Sequence, residues 1–163
     1  MMIAVSDTGP IIGLAKANRL SLLKNLFEKV LIPPMVRKEL FAKTGDEAEL
    51  IDNALTDFIQ VSEINPVDET AKLILEGLSE GERQAIGVAA SMENDVILLI
   101  DDRAGRQAAE KLNIRITGLV GVLLMAKEKG LIKSVVDVIE EIRNNGYWLS
   151  NSLVDIAKQL SGE

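Results

Sequence analysis

The sequence alternates short apolar segments with longer segments of helical periodicity, and this alternation is the strongest constraint on the fold. The run Val96–Ile100 is continuously apolar, which is typical of a strand that is buried on both faces. Strands that alternate with helices form βαβ units, in which the strands are parallel. The pattern predicts an α/β fold, a three-layer α/β/α sandwich around a parallel sheet of about five strands. The predicted strands are Ile3–Ser6, Val30–Ile32, Phe58–Ser62, Val96–Ile100 and Arg115–Thr117.

The predicted helices are bounded by capping residues, proline and glycine. Thr8 is a candidate cap for the first helix, and Pro10 lies in the first turn of that helix. The chain contains no linker or repeat, so we expect one domain over 1–163, with 133–163 as a helical extension packed on it. The other predicted helices are Ser21–Phe27, Met35–Lys43, Glu47–Thr56, Asp68–Glu76, Ser79–Met92, Ala104–Leu112, Leu119–Lys129, Val135–Asn144 and Ser152–Leu160.

The chain contains neither cysteine nor histidine. Disulfides, thiolate metal sites and catalysis by Ser-His-Asp or Cys-His groups are therefore excluded. Carboxylates alone, lysine-assisted chemistry, or a hard metal ion held by carboxylates remain, and the net charge of −7 suits the last of these. The chain starts without a signal peptide and has no apolar run long enough to span a bilayer, so a cytoplasmic protein is expected.

The charge is unevenly distributed along the chain. Segment 103–133 contains seven bases and two acids, whereas the chain as a whole is acidic. These bases either lie on solvated helix faces or form a rim that binds phosphates, with Arg103 and Arg106 as the candidate substrate contacts.

Two acids follow predicted strands directly, namely Asp7 and Asp101. The carboxyl ends of parallel strands meet at one edge of a sheet, and ligands bind there at the point where the strand order reverses. Asp7 could instead cap a helix, although Thr8 is the nearer candidate. Asp101 and Asp102 are adjacent and cannot both face the same way. We therefore expect Asp101 to be the ligand, and Asp102 to support the site or cap the following helix.

Two further acids lie on predicted helices beside apolar positions. Glu39 shares a helix face with Met35 and Val36, where an unpaired carboxylate is costly unless it reaches water or a cation. Glu82 precedes core-facing positions, but it also completes the capping box that begins at Ser79. Either of these acids could therefore be structural. Together with Asp7 and Asp101, however, they form a set that could hold a divalent metal.

The stretches around these acids resemble the PIN-domain family, the PilT N-terminus nucleases that include many prokaryotic toxins. They read Val-Ser-Asp-Thr-Gly-Pro-Ile-Ile at Asp7, Ile-Pro-Pro-Met-Val-Arg-Lys-Glu-Leu at Glu39, Leu-Ser-Glu-Gly-Glu-Arg-Gln-Ala-Ile at Glu82 and Leu-Leu-Ile-Asp-Asp-Arg at Asp101. The resemblance covers roughly residues 1–133. It is nearest to a PIN-like group of mostly uncharacterised prokaryotic proteins.

The resemblance implies a Rossmann-like fold and an endoribonuclease that depends on Mg²⁺ or Mn²⁺. Asp7, Glu39, Glu82 and Asp101 would then be catalytic, with Asp7, Asp101 and Glu39 as the metal ligands. Thr8, Asp102 and Thr117 would support the site. RNA is the implied substrate, a homodimer is frequent in the family, and the members that are toxins also bind an antitoxin protein.

This sequence departs from the family at two points. Glu82 stands where many members carry Asp, and Ile100 precedes Asp101 where many carry Thr or Ser. Metal binding by Glu82, and the choice between Asp101 and Asp102, therefore stay open.

Three other interpretations are weaker or less specific. The triplet Asp7-Thr8-Gly9 also occurs in aspartic proteases, which need an all-β frame, and phosphatases of the haloacid-dehalogenase type need an acid where Gly9 stands. The main alternative is a catalytically weak module that binds RNA or a protein. Tyr147 and Trp148 are best explained as pinning the C-terminal segment, and a dimer or antitoxin groove is the alternative use.

Overall fold

In the computed structural model, which describes residues 2–42 and 45–163, the strands pair into one parallel sheet. Their order across the sheet is β3-β2-β1-β4-β5, and each neighbouring pair is parallel. The strand order therefore reverses between β1 and β4: β2 and β3 lie on one side of this point, and β5 lies on the other. The predicted α/β sandwich is confirmed. The strands are β1 (Ile3–Ser6), β2 (Lys29–Ile32), β3 (Ile59–Val61), β4 (Val96–Leu99) and β5 (Ile116–Thr117).

Ten helices lie on the faces and edges of the sheet in the described part of the chain, and their ends agree with the predictions to within two residues where both can be compared. The predicted helix end at Lys43 lies outside the described residues, and the helix in question is described as far as Phe41. The helices are α1 (Thr8–Lys16), α2 (Ser21–Leu26), α3 (Pro34–Phe41), α4 (Asp46–Asp57), α5 (Glu69–Leu75), α6 (Glu80–Ser91), α7 (Arg103–Lys111), α8 (Leu119–Glu128), α9 (Val135–Asn144) and α10 (Asn151–Ser161).

The sheet separates two hydrophobic cores, because successive strand residues point to opposite faces. In β1, Ala4 belongs to one core and Val5 to the other; in β4, Leu99 and Leu98 divide in the same way. The first core is shared with α1–α4 and α8–α10, and the second with α5–α7. Side chains from both helix layers can therefore meet only at the edges of the sheet or where helices of the two layers touch.

The C-terminal segment is tied to the first core at several points. Leu149, Val154 and Ala157 are buried there beside α8 and α9. Glu163 accepts hydrogen bonds from the backbone N–H groups of Val135 (2.8 Å) and Val136 (3.1 Å), which lie in the first turn of α9. No helix in the described ranges is both long and apolar enough to cross a membrane.

Replacing Glu163 with Gln should destabilise the protein by about 1–2 kcal/mol at pH 7, because a charged acceptor is lost from the N-terminus of α9. Hydrogen bonds from Ser134, Lys127 and these amides hold the pKa of Glu163 below its ordinary value. A lowered pKa stabilises the fold above the unfolded-state value of about 4.3, and this stabilisation is lost as the pH falls below it.

Urea unfolding of wild type and Glu163→Gln between pH 3 and pH 7 measures this difference. Glu110→Gln, at an exposed position of α7, is the matched control. A difference between wild type and Glu163→Gln that is the same at pH 3 and pH 7 would contradict the proposed role of the charge.

Candidate active site

The acids that follow β1 and β4 meet at the carboxyl edge of the sheet. The backbone N–H of Asp7 donates to the carbonyl oxygen of Leu99 at a distance of 2.9 Å, which fixes the end of β1 beside the end of β4. These are the two strands between which the strand order reverses. The strands that precede Asp7 and Asp101 thus end side by side at the switch point of the sheet, where both acids were predicted to lie.

Asp7 lies in an acidic environment. Desolvation by the surrounding protein raises the pKa of its carboxyl group, and the charges of Glu39, Asp102 and Asp101 raise it further, although the Thr8 amide opposes them. Asp7 occupies the N-cap position of α1, but its side chain makes no capping hydrogen bond. Its carboxylate is therefore not committed to the helix.

Thr8 does not cap α1, contrary to the sequence prediction, because it is already the first residue of that helix. Its hydroxyl instead donates a 2.6 Å hydrogen bond to Glu39 Oε2. This bond ties α1 to α3 and fixes one oxygen of Glu39 near Asp7. Thr8 thus contacts one of the predicted acids, through a hydrogen bond between residues 31 positions apart.

Glu39 is half-buried on α3 between the buried residues Val36 and Leu40. Its other oxygen lies against Gly81 in α6, where an added Cβ atom would come within 2.6 Å of Glu39 Oε1. Gln84 Oε1 accepts the backbone N–H of Met35 at 2.9 Å, and so links the first turn of α3 to α6. The side chain of Glu39 is therefore confined between two helices.

Glu82 serves as a cap and also presents a free oxygen. Ser79 Oγ accepts the Glu82 amide (3.3 Å) and donates to Glu82 Oε1 (2.7 Å), so the capping box predicted from the sequence joins the two side chains. Glu82 Oε2 is buried and receives no hydrogen bond from an N–H or hydroxyl group; its polar neighbour is the Asp102 carboxyl group, with which it can share a proton, and a Cβ atom at Gly105 would lie 2.6 Å from it. Desolvation raises the pKa of Glu82, and so does the neighbouring Asp102 carboxylate, against the opposing effect of Ser79.

Asp101 and Asp102 diverge, as two adjacent acids must. Asp102 caps α7, where its Oδ2 accepts the amide of Gly105 at 3.0 Å, and this bond lowers the pKa of Asp102. Asp101 accepts the amide of Leu119 at 3.1 and 3.3 Å, at the start of α8. Although Asp101 is exposed as a residue, protein crowds its carboxylate closely enough for desolvation to raise its pKa.

Asp101 and Asp102 influence different neighbours. The charge of Asp102 raises the pKa of both Asp7 and Glu82, and that of Asp101 raises the pKa of Asp7. The charge of Arg106 opposes the rise that desolvation causes in the pKa of Asp101. Both acids therefore act on Asp7.

The bases of segment 103–133 do not form one rim. Arg103 is exposed at the start of α7, and Arg106 donates to the carbonyl oxygen of Ile100 at 2.8 Å. Arg115 pairs with Asp95 at the opposite, amino edge of the sheet, and Lys127 pairs with Glu163. Arg103 and Arg106 are therefore the bases of this segment that lie on the same side as the acids.

Two groups contribute to this region that the sequence did not single out for it. Tyr147 comes from the far end of the chain, and its pKa is raised to about 12 by desolvation and by the charges of Asp101 and Asp7. Gln84 accepts the amide of Met35 and so caps the first turn of α3. Thr117, which was predicted to support the site, lines the same surface groove as Asp101, and its hydroxyl packs against Gly121.

Among the described residues, no three acidic side chains are arranged so that they could hold a metal ion as they stand. Hydrogen bonds account for this arrangement, since Thr8 holds Glu39 and the Leu119 amide holds Asp101. The chemistry of the set still fits Mg²⁺ or Mn²⁺, which prefer oxygen ligands. Glu82 Oε2 supports this fit, because a buried, unpartnered carboxylate oxygen is costly and a cation would relieve it.

Comparison with known proteins identifies the family of this chain. A family model described as a PIN domain matches residues 3–163, which is nearly the whole chain and includes the C-terminal helices. The comparison with curated proteins gives no significant match. The geometry above shows the acids of the earlier resemblance on one edge of an all-parallel sheet. The chain belongs to the PIN-domain family.

Proposed function

We propose that this protein is an endoribonuclease that hydrolyses RNA phosphodiester bonds with the help of Mg²⁺ or Mn²⁺. PIN domains are generally nucleases, which supports the reaction class. The observation that carries the proposal for this chain is the buried, unpartnered Oε2 of Glu82, next to Asp102 and on the same edge as Asp7. Such a group of acids is unfavourable without a cation between them.

In this proposal Asp7, Glu39 and Asp101 hold the metal, and Glu82 presents the oxygen that Ser79 leaves free. Asp102 supports the site from the start of α7, where it caps that helix. A divalent cation bound in the site would polarise the scissile phosphate and lower the pKa of a water molecule.

The chain's own residues supply orientation and proton transfer. Thr8 and Gly81 confine Glu39, so that the position of its carboxylate is fixed before substrate binds. Arg103 is exposed on the same side as the acids and would bind a phosphate of the RNA. The oxygen of Glu82 that Ser79 leaves free would be able to accept a proton from the attacking water.

The proposal also includes the more specific predictions made from the sequence and from the family resemblance. They are a role as the toxin of a toxin–antitoxin pair, an antitoxin partner, a homodimer, a cytoplasmic location and a single domain over 1–163. The alternative function is a module that binds RNA or protein with little or no cleavage. A test of metal dependence distinguishes the two functions.

The purified protein should cleave an unstructured RNA in Mn²⁺ or Mg²⁺ and should be inactive in EDTA, because no other described group can replace the cation in this site. Cleavage is followed on denaturing gels with structured and unstructured RNAs, and readdition of Mn²⁺ should restore it. Cleavage that persists in EDTA would refute the metal mechanism. RNA binding without cleavage in either metal would favour the binding module.

A further inference from the structure

A groove of about 650 Å³ leads away from the acids along α8 and the C-terminal segment. Its end near the sheet is polar and contains Asp101, Asp102 and Arg106. Its far end is apolar and contains Leu160 of α10 and Trp148. A ligand that fills this groove therefore needs one charged or polar part and one apolar part.

Trp148 is the only tryptophan of the chain, and 82% of its surface is exposed. Tryptophan side chains are usually largely buried. The residues on either side of Trp148 are anchored. The Tyr147 ring lies 3.5 Å from where a Cβ atom of Gly13 would stand, and Leu149 is buried in the first core. The backbone is thus fixed on both sides of an exposed indole ring that lines the groove.

We propose that Trp148 and this groove bind an unpaired nucleobase of the RNA by stacking, an inference that rests on the ribonuclease function proposed above. A nucleotide has a flat base with apolar faces, which suits Trp148, and a phosphate, for which Arg106 is the complementary charge in the lining of the groove. Stacking of a base on an aromatic side chain tolerates any base sequence. It requires a base that is free of its neighbours, as in a loop or a single strand.

The groove suits a nucleotide better than a protein partner. A stable protein interface buries about 800 Å² on each partner. Only two strongly exposed apolar side chains, Trp148 and Leu160, line this groove in the described part of the chain, and together they offer far less. Asp101 and Asp102 also line the groove, so a nucleotide bound there would lie next to the proposed site of cleavage.

Because Trp148 is the sole tryptophan, its fluorescence reports on this groove alone. In the variant Asp7→Asn, which should bind RNA without cutting it, a ten-nucleotide unstructured RNA should quench this fluorescence and shield the indole from acrylamide. A duplex RNA of the same composition should do neither, because its bases are already stacked on one another.

The active protein provides a second measurement. Trp148→Ala should raise KM for the unstructured RNA roughly tenfold and leave kcat nearly unchanged, whereas Trp148→Phe should keep most of the affinity. Leu73→Ala removes another exposed apolar side chain, 72% exposed on α5 and outside the groove, and should change neither constant. An unchanged melting temperature for Trp148→Ala would confirm that this variant is folded.

An unchanged KM in Trp148→Ala, together with unchanged fluorescence at saturating RNA, would overturn the inference. Equal quenching by the duplex, or a fluorescence change that depends only on protein concentration and accompanies dimerisation, would overturn it as well. The two proposals fail separately. Quenching of Trp148 fluorescence by single-stranded RNA, without any cleavage in Mn²⁺, would support base binding in the groove and refute the nuclease. Cleavage that needs Asp7, without any change in Trp148 fluorescence, would support the nuclease and refute base binding in the groove.

Discussion

Replacing Asp7 with Asn should abolish metal-dependent cleavage, with a loss of about 100-fold or more, and should raise the melting temperature of the metal-free protein. Changes to groups that merely support metal ligands already cost about 10–100-fold in affinity or activity, so the loss of a ligand should cost at least as much. The gain in stability has a separate origin. Desolvation and the charges of Glu39, Asp102 and Asp101 all disfavour the charged form of Asp7, and asparagine has nearly the same shape without the charge.

The melting temperature of the protein reports metal binding independently of cleavage. Mn²⁺ at about a hundred times its dissociation constant should stabilise the wild type by about 2.7 kcal/mol, or roughly 5–10 °C in a chain of this size. Asp7→Asn should show little of this shift. Asp52→Asn, at an exposed position on α4, is the matched control and should behave like the wild type. A lower melting temperature for metal-free Asp7→Asn would contradict the proposed repulsion, and undiminished cleavage would contradict the role of Asp7.

Replacing Gly81 with Ala should lower cleavage roughly tenfold or more while the protein stays as stable as the wild type. The new Cβ atom would stand 2.6 Å from Glu39 Oε1, so the carboxylate has to leave its position. The move breaks the hydrogen bond from Thr8, at a net cost of about 1 kcal/mol, and alanine offsets this cost because it favours a helix over glycine by about 0.5–1 kcal/mol. The variant should therefore lose activity through the displaced carboxylate and not through unfolding.

Gly87 in the same helix provides the control for Gly81. A Cβ atom there would meet only Val67 Cγ1, at an ordinary 3.5 Å, so Gly87→Ala should gain stability and keep activity. Kinetics and urea unfolding of both variants test the comparison. In the background of Glu39→Gln, which already removes the charge of that acid, Gly81→Ala should have little further effect. A full additional loss of activity in this double variant would show that Gly81 acts on something other than Glu39.

The architecture could be predicted from the sequence because its signals are local. The run Val96–Ile100 indicates a buried strand by itself. Capping residues, Gly and Pro near the helix ends predict where the helices begin and end to within two residues. Few strand orders then remain possible, because each pair of consecutive parallel strands must be joined by a crossover connection. The meeting of Asp7 with the end of β4 depends only on this topology, which is why the edge that carries the site could be predicted in advance.

The side-chain partners could not be predicted, because they depend on how helices pack against one another. Thr8 looked like a helix cap in its local context and instead bonds to Glu39, across a contact between α1 and α3. Tyr147 reaches Asp7 from 140 positions along the chain, and no local pattern marks such an approach. The separate roles of Asp101 and Asp102 depend on where the amides of Leu119 and Gly105 lie, which only the folded chain determines.

The two cores on opposite faces of the sheet have a consequence for how this protein tolerates change. Glu39 is carried by a helix that packs in the first core, and Glu82 by a helix that packs in the second. The acids are therefore held in register by two separately packed helix layers, which meet at the sheet and at the contact between α3 and α6. A small shift of either helix layer during sequence drift would misalign the acids proposed to be catalytic well before it unfolded the chain. Selection for activity should accordingly limit the volume of buried side chains in both layers more strictly than selection for stability alone.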